Sequence, residues 1–129
     1  MADLDRARRF YLDWGWTPHP GAPEGLVLFQ MPGLALALFA LDELAGNQRR
    51  PKAELGTGAA TLAQNCRDVA EVGAVFQSAL DAGATCLKHP EATPWGGISG
   101  YLADPDGHVW EIAHNPFWPL AEDGALTLP

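Results

Sequence analysis

Residues 104–112 carry the sequence DPDGHVWEI, in which a tight turn is followed at once by an apolar segment. Pro105 fixes the backbone angle of the second turn position, and Gly107 accepts the positive φ that such a turn requires. The segment after the turn predicts a strand over residues 108–114, and residues 99–103 predict its partner strand. The stretch therefore predicts an antiparallel hairpin in the second half of the chain.

Upstream of this hairpin, a helix followed by strands occurs twice. Apolar residues at helical spacing predict amphipathic helices over residues 4–14 and 68–82, capped by Asp3 and Asp68 and stopped by Gly15 and Gly83. Short apolar runs predict the strands, which occupy residues 26–30 and 34–41 in the first half and residues 60–66, 85–88, 99–103 and 108–114 in the second. Each half is thus predicted as a helix followed by about three strands, and the second half also has a strand before its helix.

Spacing relates the two halves to each other. The helix stops lie 68 residues apart, whereas the turn glycines Gly33 and Gly107 lie 74 apart. A six-residue loop insertion near residues 93–97 accounts for the difference. With 129 residues the chain is predicted as one domain. Its parts are module one (1–45), an exposed connector (46–58), module two (59–118) and a tail (119–129) in which residues 123–128 are a candidate edge strand.

Composition restricts the class of partner. The chain has 8 Lys and Arg against 16 Asp and Glu, a formal charge of −8, which argues against binding to nucleic acid or to an anionic membrane surface. Cys66 and Cys86 are too few for a disulfide framework and favour reduced thiols. The charged N-terminus does not fit a signal peptide, and the longest uncharged stretch is too short to span a bilayer. These features together predict a cytoplasmic protein whose partner is neutral or basic.

The complete pattern resembles the vicinal oxygen chelate superfamily, which includes glyoxalases, bleomycin-resistance proteins and extradiol dioxygenases. The resemblance rests on residues 95–97 (WGG), residues 100–101 (GY) and residues 104–112, which close the second of two similar modules. It implies an α+β fold in which two βαβββ modules form a curled mixed sheet around a cavity. In this sequence the first module lacks its first strand, because only Met1 and Ala2 precede the helix cap at Asp3.

Members of this superfamily hold a divalent metal with up to four side chains from the first and last strands of each module. Carried over by the resemblance, these positions fall on Gln64 and Glu111 in the second module. In the first module the position matching Glu111 is Ala37, and the other would lie before Asp3. At most two of four metal ligands remain, so the expectation is that no metal cofactor is bound, with a divalent metal held by Gln64 and Glu111 as the alternative.

The candidate site residues follow from the same resemblance. Glu111 is the candidate catalytic residue, and Gln64, Trp95 and Tyr101 are the candidate ligand-binding residues. Gln64 and Glu111 are expected to approach each other across one cavity, because their strands should be neighbours. Glu111 also fits a carboxylate at a solvated strand end, and Trp95 fits a plug as well as a pocket wall. The histidines at 89, 108 and 114 are interpreted as structural.

Two functions remain open at this point. The first is an enzyme, a lyase, isomerase or dioxygenase that acts on vicinal oxygens of a small substrate through Glu111. The second is a metal-free protein that binds or sequesters a small aromatic or cationic compound. In either case the missing first strand leaves a sheet edge exposed, which predicts a homodimer with its contact near the first helix.

Overall fold

The computed structural model describes residues 1–32, 34–49, 51–57, 60–126 and 128. The helices are α1 (Leu4–Asp13), α2 (Leu41–Gln48) and α3 (Val69–Asp81), with a 3-10 turn at Lys52–Glu54. The strands are β1 (Leu26–Met31), β2 (Leu34–Phe39), β3 (Thr61–Asn65), β4 (Thr85–Ala92), β5 (Ile98–Ala103) and β6 (Val109–His114). They form a two-stranded antiparallel sheet, β1-β2, and a four-stranded mixed sheet in the order β3-β6-β5-β4. No helix in these described ranges has the length and apolar character to cross a bilayer.

Both predicted amphipathic helices are confirmed, and the same local chemistry sets their ends. The carboxylate of Asp3 accepts a hydrogen bond from the backbone N–H of Arg6 at 2.9 Å. The carboxylate of Asp68 accepts one from Glu71 N–H at 2.8 Å. Such side-chain caps satisfy N–H groups that have no partner within the helix. Gly15 and Gly83, with φ of +103° and +106°, then turn the chain out of the helix.

The second module has the predicted βαβββ order. β3 lies parallel to β6, while β5 pairs antiparallel with both β6 and β4. The buried side chains of α3, among them Val72 and Phe76, join Leu102 and Ile112 in one core cluster. α3 therefore covers the sheet face to which the even-numbered residues of β6 point.

The first module departs from the prediction of about three strands after its helix, because the described residues form two there, β1 and β2. The strand predicted over residues 34–41 ends at Phe39, and α2 begins at Leu41 and crosses the predicted module boundary at residue 45. Asp42 and Glu43 in its first turn favour the helix by their interaction with the helix dipole. The predicted connector 46–58 thus contains the end of α2 and the 3-10 turn. Gly33, predicted at the hairpin turn, and the predicted boundary at residues 58 and 59 lie outside the described residues.

Met1 takes the place in the first module that the end of β3 takes in the second. Cys66 N–H donates to the carbonyl of Ala113 at 2.7 Å, just beyond β3. In the same arrangement the Met1 amine donates to the carbonyl of Phe39 at 2.6 Å, and Leu41 N–H donates to the carbonyl of Met1 at 2.9 Å. Within the described ranges, no strand pairs with the outer edge of β2.

α1 joins the two modules. The Tyr11 hydroxyl donates to Asp104 Oδ2 at 2.8 Å, and Trp110 Nε1 donates to the Tyr11 hydroxyl at 3.2 Å. Trp14 Nε1 donates to the carbonyl of Val75 on α3 at 3.2 Å. Because these polar groups are buried or half-buried among aromatic rings, each needs its partner. They fix α1 against the second module.

Candidate functional site

A cavity of about 520 Å³ lies where the two modules meet the C-terminal segment. The hairpin β1–β2 and residues 15–17 after α1 form one side, and the end of β3 with the start of α3 forms the other. Residues 120–126 of the tail form a third wall. The volume falls in the range of cavities that bind drug-sized molecules.

Two aromatic side chains, Trp16 and Phe29, belong to the wall that the first module contributes, together with Met31, Pro32 and Leu34. Gly15 ends α1, and Trp16 N–H then donates to the carbonyl of Tyr11 at 2.9 Å, which directs the chain to the cavity. The Trp16 ring meets the Phe29 ring edge to face, with centroids 5.4 Å apart. Phe29 comes from β1 and is only 2% exposed, so the wall is held by the core beneath it.

The opposite side of the cavity is polar and comes from the second module and the tail. Gln64 at the end of β3 lines it, together with Arg67, Glu71 and Asp123. Gln64 Oε1 is sealed from solvent and has no hydrogen-bond partner among the described residues. An unpaired buried acceptor costs about 1–3 kcal/mol, so this oxygen gains from any donor that reaches it.

The predicted approach of Gln64 and Glu111 across one cavity is wrong. In the register of the parallel pair β3–β6, Gln64 lies opposite Ile112, whereas Glu111 lies opposite Ala63. Residues directly opposite each other share a sheet face, and successive residues alternate between faces. Gln64 therefore points to the face covered by α3, and Glu111 points to the other face. A difference of one residue in the pairing of β3 with β6 moves a side chain to the opposite sheet face, which is enough to separate Gln64 from Glu111.

Glu111 instead pairs with Tyr101 across the β5–β6 ladder. The Tyr101 hydroxyl donates to Glu111 Oε1 at 2.9 Å. This hydrogen bond, followed by burial, raises the pKa of Tyr101 above its ordinary value, because the phenol must keep its proton to donate to a carboxylate. Neither side chain lines the cavity described above.

Trp95 also lies apart from the cavity lining. Its side chain is 43% exposed, and its ring covers Gly97 so closely that any side chain at residue 97 would collide with it. Of the four predicted site residues, the cavity thus contains Gln64 alone, while Tyr101 and Glu111 form a separate pair.

The divalent metal implied by the resemblance does not fit the residues present. Gln64 and Glu111 occupy opposite sheet faces, and β3 contributes Thr61 and Ala63 to the face of Glu111. In the described ranges no three His, Cys, Asp or Glu side chains converge in a way that could hold a metal ion. A stable site ordinarily needs at least three protein ligands.

Sequence reasoning missed Trp16, Phe29 and Arg67 as site residues. Trp16 follows the helix stop Gly15, and Arg67 precedes the helix cap Asp68, so both stand next to features that the sequence did predict. Nothing in the sequence brings them together, because their proximity depends on how the two modules pack. The interpretation of His108 and His114 as structural agrees with their contacts, since their Nδ1 atoms lie 3.1 Å from Asp104 Oδ2 and from the carbonyl of Cys66.

Asp104 forms a second polar centre at the turn between β5 and β6. It is 4% exposed and accepts hydrogen bonds from the Tyr11 hydroxyl, from the N–H groups of Asp106 and His108, and from the His108 ring. Burial raises the pKa of Asp104, but the hydrogen bonds from His108 and Tyr11 outweigh it and hold the pKa below its usual range. The hydrogen bond to Asp104 in turn raises the pKa of the His108 imidazole, against the opposing effect of burial.

Comparison with known proteins gives the same fold. The sequence profile of the Glyoxalase/Bleomycin resistance protein/Dioxygenase superfamily matches residues 1–112. A glyoxalase-related enzyme from Fulvimarina pelagi is 36% identical, with a TM-score of 0.88 over 98% of this chain and 90% of that chain. A lactoylglutathione lyase from Agrobacterium tumefaciens is 26% identical, with a TM-score of 0.69 over 92% of this chain and 90% of that chain.

A shorter match links the chain to a mycobacterial protein. It is 48% identical over 44 residues to an uncharacterised protein of Mycobacterium bovis, which is 34% of this chain and 29% of that protein. The match therefore covers less than a third of the mycobacterial protein's length. The profile and the solved structures, by contrast, span most of the chain, and they define a glyoxalase-like α+β fold. The chain belongs to the Glyoxalase/Bleomycin resistance protein/Dioxygenase superfamily.

Proposed function

We propose that the chain is a binding protein for a small aromatic cation, held in the cavity between the two modules without a metal. The observation that carries this proposal is the arrangement of the walls. The aromatic pair Trp16 and Phe29 lines one side, and the carboxylate-bearing residues Glu71 and Asp123 line the other. An aromatic cation between such walls gains ring contacts on one side and charge attraction on the other.

The charges around the cavity favour a cation over an anion. Arg67 is the cationic residue in the described lining, and its guanidinium already donates to two backbone carbonyls of the tail. Glu71 and Asp123 leave the lining with an excess of negative charge. The net charge of −8 on the whole chain adds long-range attraction for a cation.

Gln64 gives the site a point of specificity. Its unpaired Oε1 is sealed from solvent in the free protein. A ligand that carries an N–H or O–H group offers the donor that this oxygen lacks, after a rotation of the amide toward the cavity. Ligands with such a group should therefore bind more tightly than methylated analogues of the same size, because the desolvated acceptor is paired only in the complex.

A second candidate function is favoured by the Tyr101–Glu111 hydrogen bond. A carboxylate that accepts a hydrogen bond from a phenol, both half-buried on the face away from α3, can take part in acid–base chemistry. In that case Glu111 is the catalytic residue of a glyoxalase-like lyase, isomerase or dioxygenase, with Tyr101 and Trp95 beside the substrate. The two candidates use different parts of the protein, so variants separate them.

The homodimer remains part of the proposal. The outer edge of β2 has no partner strand in the described ranges, and Leu34 on that strand is exposed. An open edge with apolar side chains recruits another strand, and a second copy of the chain is the proposed source. Light scattering at high concentration should give the mass of two chains, and a monomer would contradict this part.

Titration with N-methylquinolinium, a small aromatic cation, tests the proposed binding. The wild-type protein should show saturable quenching of tryptophan fluorescence and a rise in Tm. The Trp16→Leu variant should bind at least about tenfold more weakly, since it loses the aromatic wall. The Trp95→Leu variant is the matched control and should bind within about twofold of wild type, because Trp95 lies outside the lining.

Two further arms complete this experiment. Neutral quinoline at pH 8 has nearly the same shape without the fixed charge and should bind more weakly than N-methylquinolinium. Absence of saturable binding to the wild type, or equal losses in Trp16→Leu and Trp95→Leu, would overturn the proposal. Loss of binding in Glu111→Gln but not in Trp16→Leu would favour the second candidate instead.

A further inference from the structure

We propose that Arg67 is a latch that holds residues 120–126 over the cavity and thereby controls how fast a ligand enters and leaves. We name residues 120–126 the tail hairpin. The regulatory part of this inference rests on the proposed function, because it takes the cavity as the ligand site. The structural part, that Arg67 fastens the tail hairpin, stands on geometry alone.

The tail hairpin is a small closed unit. Leu120 and Leu126 form an antiparallel bridge at its base. Ala121 N–H donates to the carbonyl of Ala125 at 2.9 Å, and Gly124 N–H donates back to the carbonyl of Ala121 at 2.9 Å. Asp123 Oδ1 accepts from Ala125 N–H at 2.9 Å, and Gly124 has the positive φ of +85° that the tight turn needs. These hydrogen bonds all lie within the segment, and a hairpin of this size is only marginally stable without further contacts.

Arg67 holds this unit to the rest of the protein. Its Nη2 donates to the carbonyl of Ala121 at 2.9 Å and to the carbonyl of Glu122 at 2.7 Å. Across the ranges that the structure describes, these are the hydrogen bonds that join the tail hairpin to the modules. Leu120 and Leu126 are half-buried and line the cavity.

The backbone at Arg67 is fixed, so the arginine is the stationary part of the latch. Cys66, its neighbour, is buried and hydrogen-bonded through both its N–H and its carbonyl, to Ala113 at 2.7 Å and to the His114 ring at 3.1 Å. Asp68, on the other side, caps α3. The carboxylate of Glu71 accepts a hydrogen bond from Arg67 N–H. Motion of the latch is therefore motion of the tail hairpin.

Opening of the tail hairpin removes one wall of the cavity. Leu120, Leu126 and the carboxylate-bearing Asp123 leave together, while Trp16 and Gln64 stay in place on the modules. A ligand can then exchange without any change in the sheets. Because charge-assisted hydrogen bonds are stronger than neutral ones yet these two are exposed to solvent, the closed state should be favoured but reversible.

Hydrogen exchange measured amide by amide tests the latch without a ligand. In Arg67→Ala, the amides of Ala121, Gly124 and Ala125 should exchange about tenfold faster or more, since a small hairpin that is no longer fastened to the modules also opens its own hydrogen bonds more often. Amides of β6 should not change, which shows that the protein is folded. Arg67→Lys keeps one donor group and should give an intermediate exchange rate. Arg8→Ala, on the exposed face of α1, is the matched control and should leave the exchange of the tail hairpin unchanged. Unchanged exchange of the tail hairpin in Arg67→Ala would overturn the latch.

Stopped-flow measurements with N-methylquinolinium test its effect on the cavity. Association and dissociation should both be faster in Arg67→Ala, by about threefold or more, because opening precedes exchange of the ligand. Equal rates in Arg67→Ala and wild type, despite faster amide exchange, would overturn the gating. If N-methylquinolinium does not bind the wild type, the proposed function fails while the amide exchange still decides the latch.

Discussion

The last strands of the two modules, β6 and β2, end in the same hydrogen-bonding arrangement but differ in what covers their edges. β6 lies between β3 and β5, so both of its edges are paired. Among the described residues, β2 pairs with β1 on one side, and on the other side the Met1 amine is hydrogen-bonded near its end. The difference shows that the second module has a complete sheet of its own, whereas the first module relies on α1 and its contacts across the molecule.

The cavity lies at the joint between these unequal halves. Its aromatic wall comes from the first module and most of its polar wall from the second. The contacts that hold α1 against the second module therefore also fix the distance between the aromatic wall and the polar wall of the cavity. Disturbing that joint should affect stability and binding together, whereas disturbing the far side of the four-stranded sheet should not.

Equivalent core truncations in the two modules give the largest expected effect. Leu102 on β5 and Leu38 on β2 are 0% and 1% exposed. Leu102→Ala should destabilise the protein by about 3–5 kcal/mol. β5 is paired along both edges, so it cannot shift to fill the space that the truncated side chain leaves. Leu38→Ala should cost about 2–3 kcal/mol, because β2 can shift toward its open edge. Urea unfolding measures both, and a larger loss for Leu38→Ala would contradict the comparison.

Removal of one buried hydroxyl tests the joint itself. Tyr11→Phe leaves Trp110 Nε1 without its acceptor and Asp104 with one donor fewer. It should cost about 1–3 kcal/mol, since both groups are buried. Tyr101→Phe removes a hydroxyl from the half-exposed pair with Glu111 and should cost only about 0.5–1 kcal/mol. Equal losses in urea unfolding would show that the joint is no more important than the open sheet face.

The pH dependence of stability is the smallest expected effect and follows from Asp104 and His108. The lowered pKa of Asp104 contributes stability that is present above about pH 4 and is lost as the pH falls through the folded pKa. The raised pKa of His108 contributes stability that is fully present below about pH 6.5 and is lost as the pH rises through the folded pKa.

Tm should therefore be highest between roughly pH 4 and pH 6.5. His108→Gln should flatten the decline on the alkaline side and also weaken the decline on the acid side, because the His108 ring helps to lower the pKa of Asp104. Thermal unfolding of both proteins across this range checks the prediction. A Tm of the wild type that keeps rising from pH 6 to pH 8 would contradict it.

Local chemistry explains which parts of the fold could be predicted from the sequence. Asp3, Gly15, Asp68 and Gly83 act on their own helix ends, and the turn at residues 104–107 acts on its own hairpin, so both helices and the second module were predictable. α2 was not, because an eight-residue helix is too short to show a clear period.

The site was less predictable because it depends on register and on packing between modules. The alternation of side chains along β3 and along β6 could be predicted from the sequence. The pairing between the two strands, which places Gln64 opposite Ile112, could not, because the sequence of one strand does not determine its register with the other. Trp16 and Arg67 line the same cavity because of the way the two modules and the tail hairpin pack together. The family resemblance therefore pointed to Glu111, whose hydrogen-bond partner in the structure is Tyr101.

The most direct test of the proposed binding site follows the five tryptophan indole N–H signals by NMR during titration with N-methylquinolinium. The signal of Trp16, assigned with the Trp16→Leu variant, should shift with a saturable dependence on ligand concentration. The signal of Trp95, which lies outside the cavity lining, should stay in place. Saturable shifts at Trp95 with an unmoved Trp16 signal would contradict the cavity as the ligand site.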